Sequence, residues 1–147
     1  MGLNFYLPFV ATCKRFQVSG LRAIRLFQNW RTPAWRGEAS AKTGARHLLV
    51  GTLAGKAARA IGADPLLAQA AAFYHDLGKT QNPQFFIENQ FGISNPHDLL
   101  PPEESAEVIR KHVLDGVALA KQYRIPSEVA EGIVSHHGDG IMQYFYQ

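Results

Sequence analysis

Residues 74–79, Tyr-His-Asp-Leu-Gly-Lys, are the part of the sequence best suited to chemistry. At a frayed helix end the neighbouring side chains of His75 and Asp76 can turn toward one cation, and the two oxygens of Asp76 can bridge two metals. Gly78 suits the left-handed position that ends a helix, and Lys79 just beyond it can meet a phosphate. An ordinary polar helix end would also explain the His-Asp pair, so the assignment depends on the other histidines.

Five of the six histidines are predicted at helix ends or on apolar helix faces, and they are His47, His75, His112, His136 and His137. Several buried imidazoles on different helices are hard to satisfy without a common partner, because an unpaired buried polar group costs free energy. Imidazole and carboxylate ligands without thiolate suit Fe, Mn, Zn or Ni. Six candidate ligands exceed one tetrahedral site, so they predict a two-metal centre bridged by Asp76.

The apolar periodicity predicts helices, and no strand, in the part of the chain that carries these residues. The first helix is predicted from His47 to Ile61 and stops at Gly62. Its apolar positions at helical spacing are Leu49, Val50, Leu53, Ala54, Ala57 and Ile61. The second helix follows the cap residue Asp64 and the proline Pro65. Its predicted buried face consists of Leu66, Ala70, Phe73, Tyr74 and Leu77.

Residues 83–90 are predicted as a short helix or turn, and residues 95–98 as a loop. A third helix begins at Pro101-Pro102 with acids in its first turn, and one of its faces carries Ser105, Val108, Ile109 and His112. Asp115 is expected to cap a separate helix at 116–123. Pro126 then begins a helix that ends at Gly138, with an inward stripe of Val129, Ile133, His136 and His137. A last helix is expected to start near Ile141. The fold class is therefore all-α, a compact helical bundle.

The length of 147 residues and the 46% hydrophobic content suit one domain with its own core. The only cysteine, Cys13, excludes an internal disulfide framework and a zinc-thiolate knuckle, so a cytoplasmic location is expected. The longest charge-free run before Lys14 has 13 residues, short of the roughly 20 that span a bilayer.

The net charge of +3 is divided unevenly along the chain. Residues 1–44 carry seven Lys and Arg against Glu38, whereas residues 45–147 carry eight against eleven acids. Most of the basicity thus lies outside the histidine-bearing part, and no nucleic-acid polymer is predicted as a partner. Residues 1–44 are predicted as a basic leader. It is either an arm that rests on an anionic membrane or a partner, or a disordered leader or a wrongly assigned gene start.

The histidine and aspartate pattern resembles the metal-binding pattern of the HD-domain phosphohydrolases. The wider sequence is similar to the cytosolic HD domain of the seven-transmembrane HD proteins, bacterial membrane phosphodiesterases that hydrolyse cyclic di-AMP. The matching stretches are His75-Asp76-Leu77-Gly78-Lys79, residues 83–90, Asn95-Pro96-His97-Asp98, His136-His137-Gly138 and Tyr144-Phe145-Tyr146. The resemblance covers about residues 46–147 and none of residues 1–44.

The resemblance implies an HD-domain bundle at 45–147 with two divalent transition metals, Fe or Mn. His75 and Asp76 would be ligands with Asp76 as the bridge, and the second metal would be completed by His112, His136 and His137. Lys79 would face substrate phosphate, and His97 has no metal role. The implied reaction converts cyclic di-AMP to the linear dinucleotide on the cytosolic side of a membrane. Alternatives are an HD nucleotidase acting on mononucleotides and a non-catalytic domain that senses nucleotides or binds partners.

Two departures from the family pattern lower the expected activity. The family completes its ligand set with an aspartate on a later helix, and this chain stops before such a residue, so the HD domain is expected to be truncated at its C-terminus. Alignment on Leu48-Leu49-Val50 puts Arg46 where the first histidine belongs and His47 one place late. One residue turns a helical side chain by about 100°, so His47 is expected to miss the first metal.

Overall fold

A computed structural model describes residues 40–90 and 92–138, with side chains of the first helix from His47 onward, and these residues form four α-helices. In chain order they are α1 (Ser40–Ala60), α2 (Pro65–Tyr74), α3 (Pro102–Gln122) and α4 (Ser127–Ser135). Short 3-10 turns connect α2 to α3, and no strand occurs in the described ranges. The predicted all-α class is confirmed. Among the helices described, none has the length and apolar character needed to cross a membrane.

Helix α1 begins at Ser40, earlier than predicted, and of its six predicted apolar positions only Ala54 is buried, with Val50 partly buried against the core. The predicted apolar positions Leu49, Leu53, Ala57 and Ile61 are exposed, Leu49 to 62%. The buried stripe consists of His47, Gly51, Ala54, Gly55 and Ala58. Small residues face α2 because the two helices pack closely, and a Cβ on Gly55 would lie 2.6 Å from the Gln69 side chain. The leucines are therefore left outside, and His47 lies on the inward face.

Helix α2 begins as predicted, after Gly62 turns the chain at a φ of 70° and Asp64 caps the first turn. The Asp64 Oδ1 atom accepts hydrogen bonds from the backbone N–H groups of Leu66 at 2.9 Å and Leu67 at 3.1 Å. Leu67 is buried and Leu66 is exposed, so the prediction that Leu66 belongs to the buried face was wrong. The helix ends at Tyr74, and the chain continues into a 3-10 turn, Leu77–Gln81.

Gly78 lies in this turn without the predicted left-handed conformation, which the structure shows at Gly62, Gly92 and Gly138. Position 78 requires glycine because the turn packs directly on the backbone of α3. A Cβ on Gly78 would overlap the carbonyl oxygen of His112 and lie 2.5 Å from the backbone N of Gly116. The missing side chain thus sets the distance between the turn that follows Asp76 and the helix that carries His112.

Helix α3 is continuous from Pro102 to Gln122, so the predicted break before a separate helix at 116–123 was wrong. Gly116 permits close packing and does not interrupt the helix. A Cβ there would lie 2.7 Å from Ile133 Cγ2 of α4 and 3.3 Å from the backbone N of Gly78. Helix α4 follows Pro126 as predicted, buries Val129 and Ile133, and is followed by Gly138 at a φ of 57°. The predicted helix near Ile141, the leader up to residue 39 and the side chain of Arg46 lie outside the described residues.

The connection between α2 and α3 contains three more short turns, Pro83–Phe85, Ile87–Asn89 and Pro96–Leu99. The last of these replaces the predicted loop, because Asn95 caps it by accepting a hydrogen bond from the His97 N–H. Hydrogen bonds from side chains connect the turns to one another. Gln90 Nε2 donates to the Gln84 carbonyl at 3.1 Å and to Asn95 Oδ1 at 3.0 Å, and His97 Nε2 lies 3.0 Å from the Phe85 carbonyl oxygen.

Candidate metal centre

Asp76 lies between the end of α2 and the 3-10 turn, and one of its two oxygens, Oδ2, faces a first group of donors. His75 Nε2 is 3.1 Å from Oδ2, and His47 Nε2 is 3.8 Å from it. The ligand atoms of His47, His75 and Asp76 lie within 4.8 Å of one another, a spacing that fits one metal ion. His47 comes from α1, and the other two come from the end of α2.

The second carboxylate oxygen, Oδ1, faces a second group of donors. His112 Nε2 and His136 Nε2 each lie 3.6 Å from Oδ1, and His137 Nε2 lies 3.1 Å from His112 Nε2. The ligand atoms of His112, His136 and His137 also lie within 4.8 Å of one another. These residues come from the middle of α3 and from the end of α4. A carboxylate with one oxygen toward each group has the geometry of a bridge between two metal ions.

All six sequence-predicted ligands are therefore brought to one place. The expected displacement of His47 was wrong, since its side chain is 3% exposed and points at Asp76. The displacement was predicted from Leu48-Leu49-Val50, whose two leucines are exposed, whereas His47 lies on the inward face of α1. His97, to which no metal role was given, lies in the connection between α2 and α3 and outside both groups.

Hydrogen bonds fix the orientation of three of the imidazole rings. The Nδ1 atoms of His75 and His136 lie 2.7 Å and 2.8 Å from the carbonyl oxygens of Ala72 and Ile133, three residues earlier in each case. His112 Nδ1 makes the corresponding bond to the Ile109 carbonyl. A carbonyl oxygen can only accept, so each Nδ1 carries a proton, and Nε2 is the nitrogen whose lone pair is available to a metal ion. Metal-ligating histidines are commonly held by such a bond from the second ring nitrogen.

With the rings oriented in this way, the donor atoms that face one another suit a metal cation. The Nε2 lone pairs of His112 and His136 face each other across 3.4 Å, and both face Asp76. Acceptors at this distance repel unless a proton or a cation lies between them. Burial lowers the pKa of His47 and His112, and burial together with His136 and His112 lowers the pKa of His137 to about 4. At neutral pH these rings stay neutral, so a divalent cation is the partner that suits them.

The electrostatic surroundings of Asp76 keep it ionised. Burial alone would raise the pKa of its carboxyl, but without a metal the imidazoles of His136, His47 and His75 can donate hydrogen bonds to it, which outweigh burial and hold the pKa well below its usual range. An ionised carboxylate is the form that binds metal.

Lys79 lies beside the first group of donors, with Nζ 2.9 Å from Asp76 Oδ2 and 3.0 Å from Glu88 Oε1. Burial acts to lower the pKa of Lys79, but Asp76 and Glu88 outweigh it and raise that pKa, so the ammonium stays charged. Sequence reasoning missed two neighbours of this lysine, Glu88 and the buried ring of Phe86. Both lie in a stretch predicted only as a short helix or turn, and no periodicity or spacing marked them.

We predict that NMR will find a proton on Nδ1 in His75, His112 and His136 in the metal-free chain. Long-range ¹H–¹⁵N spectra at neutral pH report this tautomer directly, and added Zn²⁺ should shift the Nε2 resonances of all three. His97 is the internal control, because its Nε2 must donate to the Phe85 carbonyl and its ring should not respond to Zn²⁺. An Nε2–H tautomer in any of the three rings would contradict the assignment of the lone pairs.

Comparison with known proteins assigns the part of the chain that carries these residues to a family. The HD domain family model matches residues 44–145. Over 99 residues the chain is 44% identical to the cyclic-di-AMP phosphodiesterase PgpH of Bacillus subtilis and 41% identical to PgpH of Listeria monocytogenes. Each alignment covers 67% of this chain and 14% of the relative, so the chain spans about a seventh of the length of either protein.

A solved structure resembles the fold. The crystal structure of the L. monocytogenes phosphodiesterase PgpH HD domain in complex with cyclic-di-AMP matches with a TM-score of 0.71 and 37% sequence identity. The match covers 80% of this chain and 56% of that one.

Proposed function

The chain belongs to the HD domain family, and on that premise we propose that it is a metal-dependent phosphodiesterase that hydrolyses cyclic di-AMP to the linear dinucleotide. The observation that carries the proposal is the position of Asp76, with one oxygen toward each of two groups of imidazoles. Relatives named for this activity and a related domain crystallised with cyclic-di-AMP support the choice of substrate. By resemblance to the seven-transmembrane HD proteins, the domain would work on the cytosolic side of a membrane.

The proposed cofactors are two divalent ions, Fe or Mn. His47, His75 and Asp76 Oδ2 would hold one, and the other would be held by Asp76 Oδ1 together with His112, His136 and His137. Bound in this way, two metal ions supply an activated water and stabilise charge on the attacking and leaving oxygens of a phosphate. The backbone carbonyls behind His75, His112 and His136 keep the donor atoms of those rings in place.

Lys79 would serve the substrate and not a metal, because an ammonium group donates hydrogen bonds and repels cations. Two of its three N–H groups are taken by Asp76 and Glu88, and among the described residues no carboxylate takes the third, which could bind a phosphate oxygen. In the reaction, water adds to phosphorus, the bond to the 3′-oxygen breaks, and a proton goes to that oxygen. The positive charge of Lys79 would stabilise the transition state, in which negative charge develops on the phosphoryl oxygens.

We expect the purified chain, loaded with Mn²⁺ or Fe²⁺, to convert cyclic di-AMP to the linear dinucleotide, and chelation to stop the reaction. Chromatography of the nucleotides with time measures it, and adenosine mononucleotides in parallel reactions test the nucleotidase alternative. Release of phosphate from mononucleotides with cyclic di-AMP left intact would replace the proposal by that alternative. Binding of cyclic di-AMP without turnover by the metal-loaded chain would favour the non-catalytic domain.

A further inference from the structure

The Lys79 ammonium lies between two carboxylates that come from different parts of the chain. Its Nζ is 2.9 Å from Asp76 Oδ2 and 3.0 Å from Glu88 Oε1. The side chains of Lys79, Asp76 and Glu88 are 20%, 12% and 15% exposed, so all three charges are largely withdrawn from water. Removing one partner from such a group costs more than breaking an ion pair on the surface, because the remaining charges stay desolvated. Of the two carboxylates, only Asp76 belongs to the candidate metal centre.

We infer that Glu88 is a positioning residue that holds the Lys79 ammonium for substrate phosphate and shares its positive charge with the metal-bridging oxygen of Asp76. This inference rests on the proposed function. Without Glu88, Asp76 would be the carboxylate partner of Lys79 within the described residues. The ammonium charge would then be balanced by Asp76 alone, and it would compete more strongly for Oδ2, the oxygen proposed for the metal held by His47 and His75. Loss of Glu88 should therefore weaken metal binding as well as phosphate binding.

Glu88 can do this because its own position is fixed. Phe86, two residues earlier, is buried, and its ring centroid lies 5.7 Å from that of His112 in an edge-on contact. Lys79 Nζ lies 5.0 Å from the same ring centroid, within the range of a cation–π interaction. The ring thus packs against both the lysine and a candidate metal ligand, and it brings the Ile87–Asn89 turn to the site.

More distant residues hold this turn in place. His97 Nε2 donates to the carbonyl of Phe85, and the rings of these two residues meet edge-on with centroids 5.1 Å apart. Asn89 Nδ2 donates to the Pro83 carbonyl at 3.2 Å. The connection between α2 and α3 therefore presents Glu88 from a hydrogen-bonded frame, as a positioning residue requires.

A double-mutant cycle tests whether Glu88 acts through Lys79. The variants are Glu88→Gln, Lys79→Met and the double variant, with Glu107→Gln as a control that removes an exposed carboxylate from α3. One readout is the affinity of the metal-loaded chain for a hydrolysis-resistant phosphorothioate analogue of cyclic di-AMP. The second is the affinity of the metal-free chain for Mn²⁺. Circular dichroism during heating checks that each variant folds.

We expect Glu88→Gln to weaken both affinities about tenfold and Glu107→Gln to change neither, because only Glu88 shares a desolvated charge pair with Lys79. In the Lys79→Met background the same Glu88 change should cost less than about threefold, since residues that act through one another are not additive. In turnover, KM should rise more than kcat falls. Equal losses from Glu88→Gln in both backgrounds would overturn the inference, as would full affinity in the single variant.

The two readouts separate this inference from the proposed function. If the wild-type chain binds the analogue but does not hydrolyse cyclic di-AMP, the proposed activity fails and the binding cycle still decides the role of Glu88. If the chain binds no nucleotide, the Mn²⁺ cycle decides whether Glu88 acts on the metal site through Lys79. A chain that binds neither nucleotide nor Mn²⁺ would overturn both proposals.

Discussion

Replacing Asp76 with alanine should abolish metal binding and lower the hydrolysis of cyclic di-AMP by about a thousandfold or more, because both proposed metal ions depend on this side chain. Asp76 is the carboxylate of both donor groups, with Oδ2 toward His47 and His75 and Oδ1 toward His112 and His136. Its removal leaves neutral imidazoles facing one another, and these bind divalent ions more weakly than a set that includes an anionic oxygen. Elemental analysis of the purified variant and chromatography of the nucleotides measure the two effects.

The matched control is Glu131→Ala, which removes an exposed carboxylate from α4, the helix that leads to His136. It should leave metal content and turnover unchanged. Asp76→Asn keeps the shape of the side chain and loses the charge, so it should retain at most one metal ion. An Asp76→Ala protein that keeps two metal ions per chain would contradict the bridging role.

Replacing Gly78 with alanine should destabilise the fold by about 3 kcal/mol or more, because the added methyl group meets backbone atoms that cannot rotate away. The carbonyl of His112 and the backbone N of Gly116 both lie within contact distance of the new Cβ. Relief requires the Leu77–Gln81 turn and α3 to move apart, which also separates Asp76 from His112. Urea unfolding measures the loss of stability, and elemental analysis measures the accompanying loss of metal.

Gly51→Ala is the control for this substitution. Gly51 lies inside α1, and a Cβ there would meet Gln69 and Phe73 at 3.5 Å, an ordinary contact. Alanine should therefore stabilise the protein by about 0.5 kcal/mol through the lower entropy of the unfolded chain. If Gly78→Ala unfolds at the same urea concentration as the wild type, the close approach of the turn to α3 is wrong.

The sequence was sufficient to predict the candidate ligands, but it did not predict which face of the first helix is buried. Residue type marked the candidates, and the structure brings them together around Asp76. The phase of α1 follows from the small residues Gly51, Ala54, Gly55 and Ala58, which share helical spacing with His47 and let α2 approach. Hydrophobic periodicity gives most weight to large apolar residues, so it assigned the leucines to the buried face. The close packing of α1 against α2 leaves no space for these side chains between the two helices.

Two other differences have similar causes. Gly116 predicts a helix break when only its propensity is considered, and its real role depends on the backbone of Gly78, which is distant in sequence. The pairing of Lys79 with Glu88 spans nine residues of irregular chain. No periodicity connects these two positions, so only the folded connection between α2 and α3 reveals the contact.

Anomalous X-ray diffraction from crystals of the Mn²⁺-loaded chain tests most directly whether two metal ions bind on opposite sides of Asp76. We expect two peaks at the manganese absorption edge, each at roughly 2.0–2.3 Å from its ligand atoms. One peak should be shared by His47, His75 and Asp76 Oδ2, and the other by Asp76 Oδ1, His112, His136 and His137. A single peak, or two peaks of which one has no contact with Asp76, would contradict this arrangement.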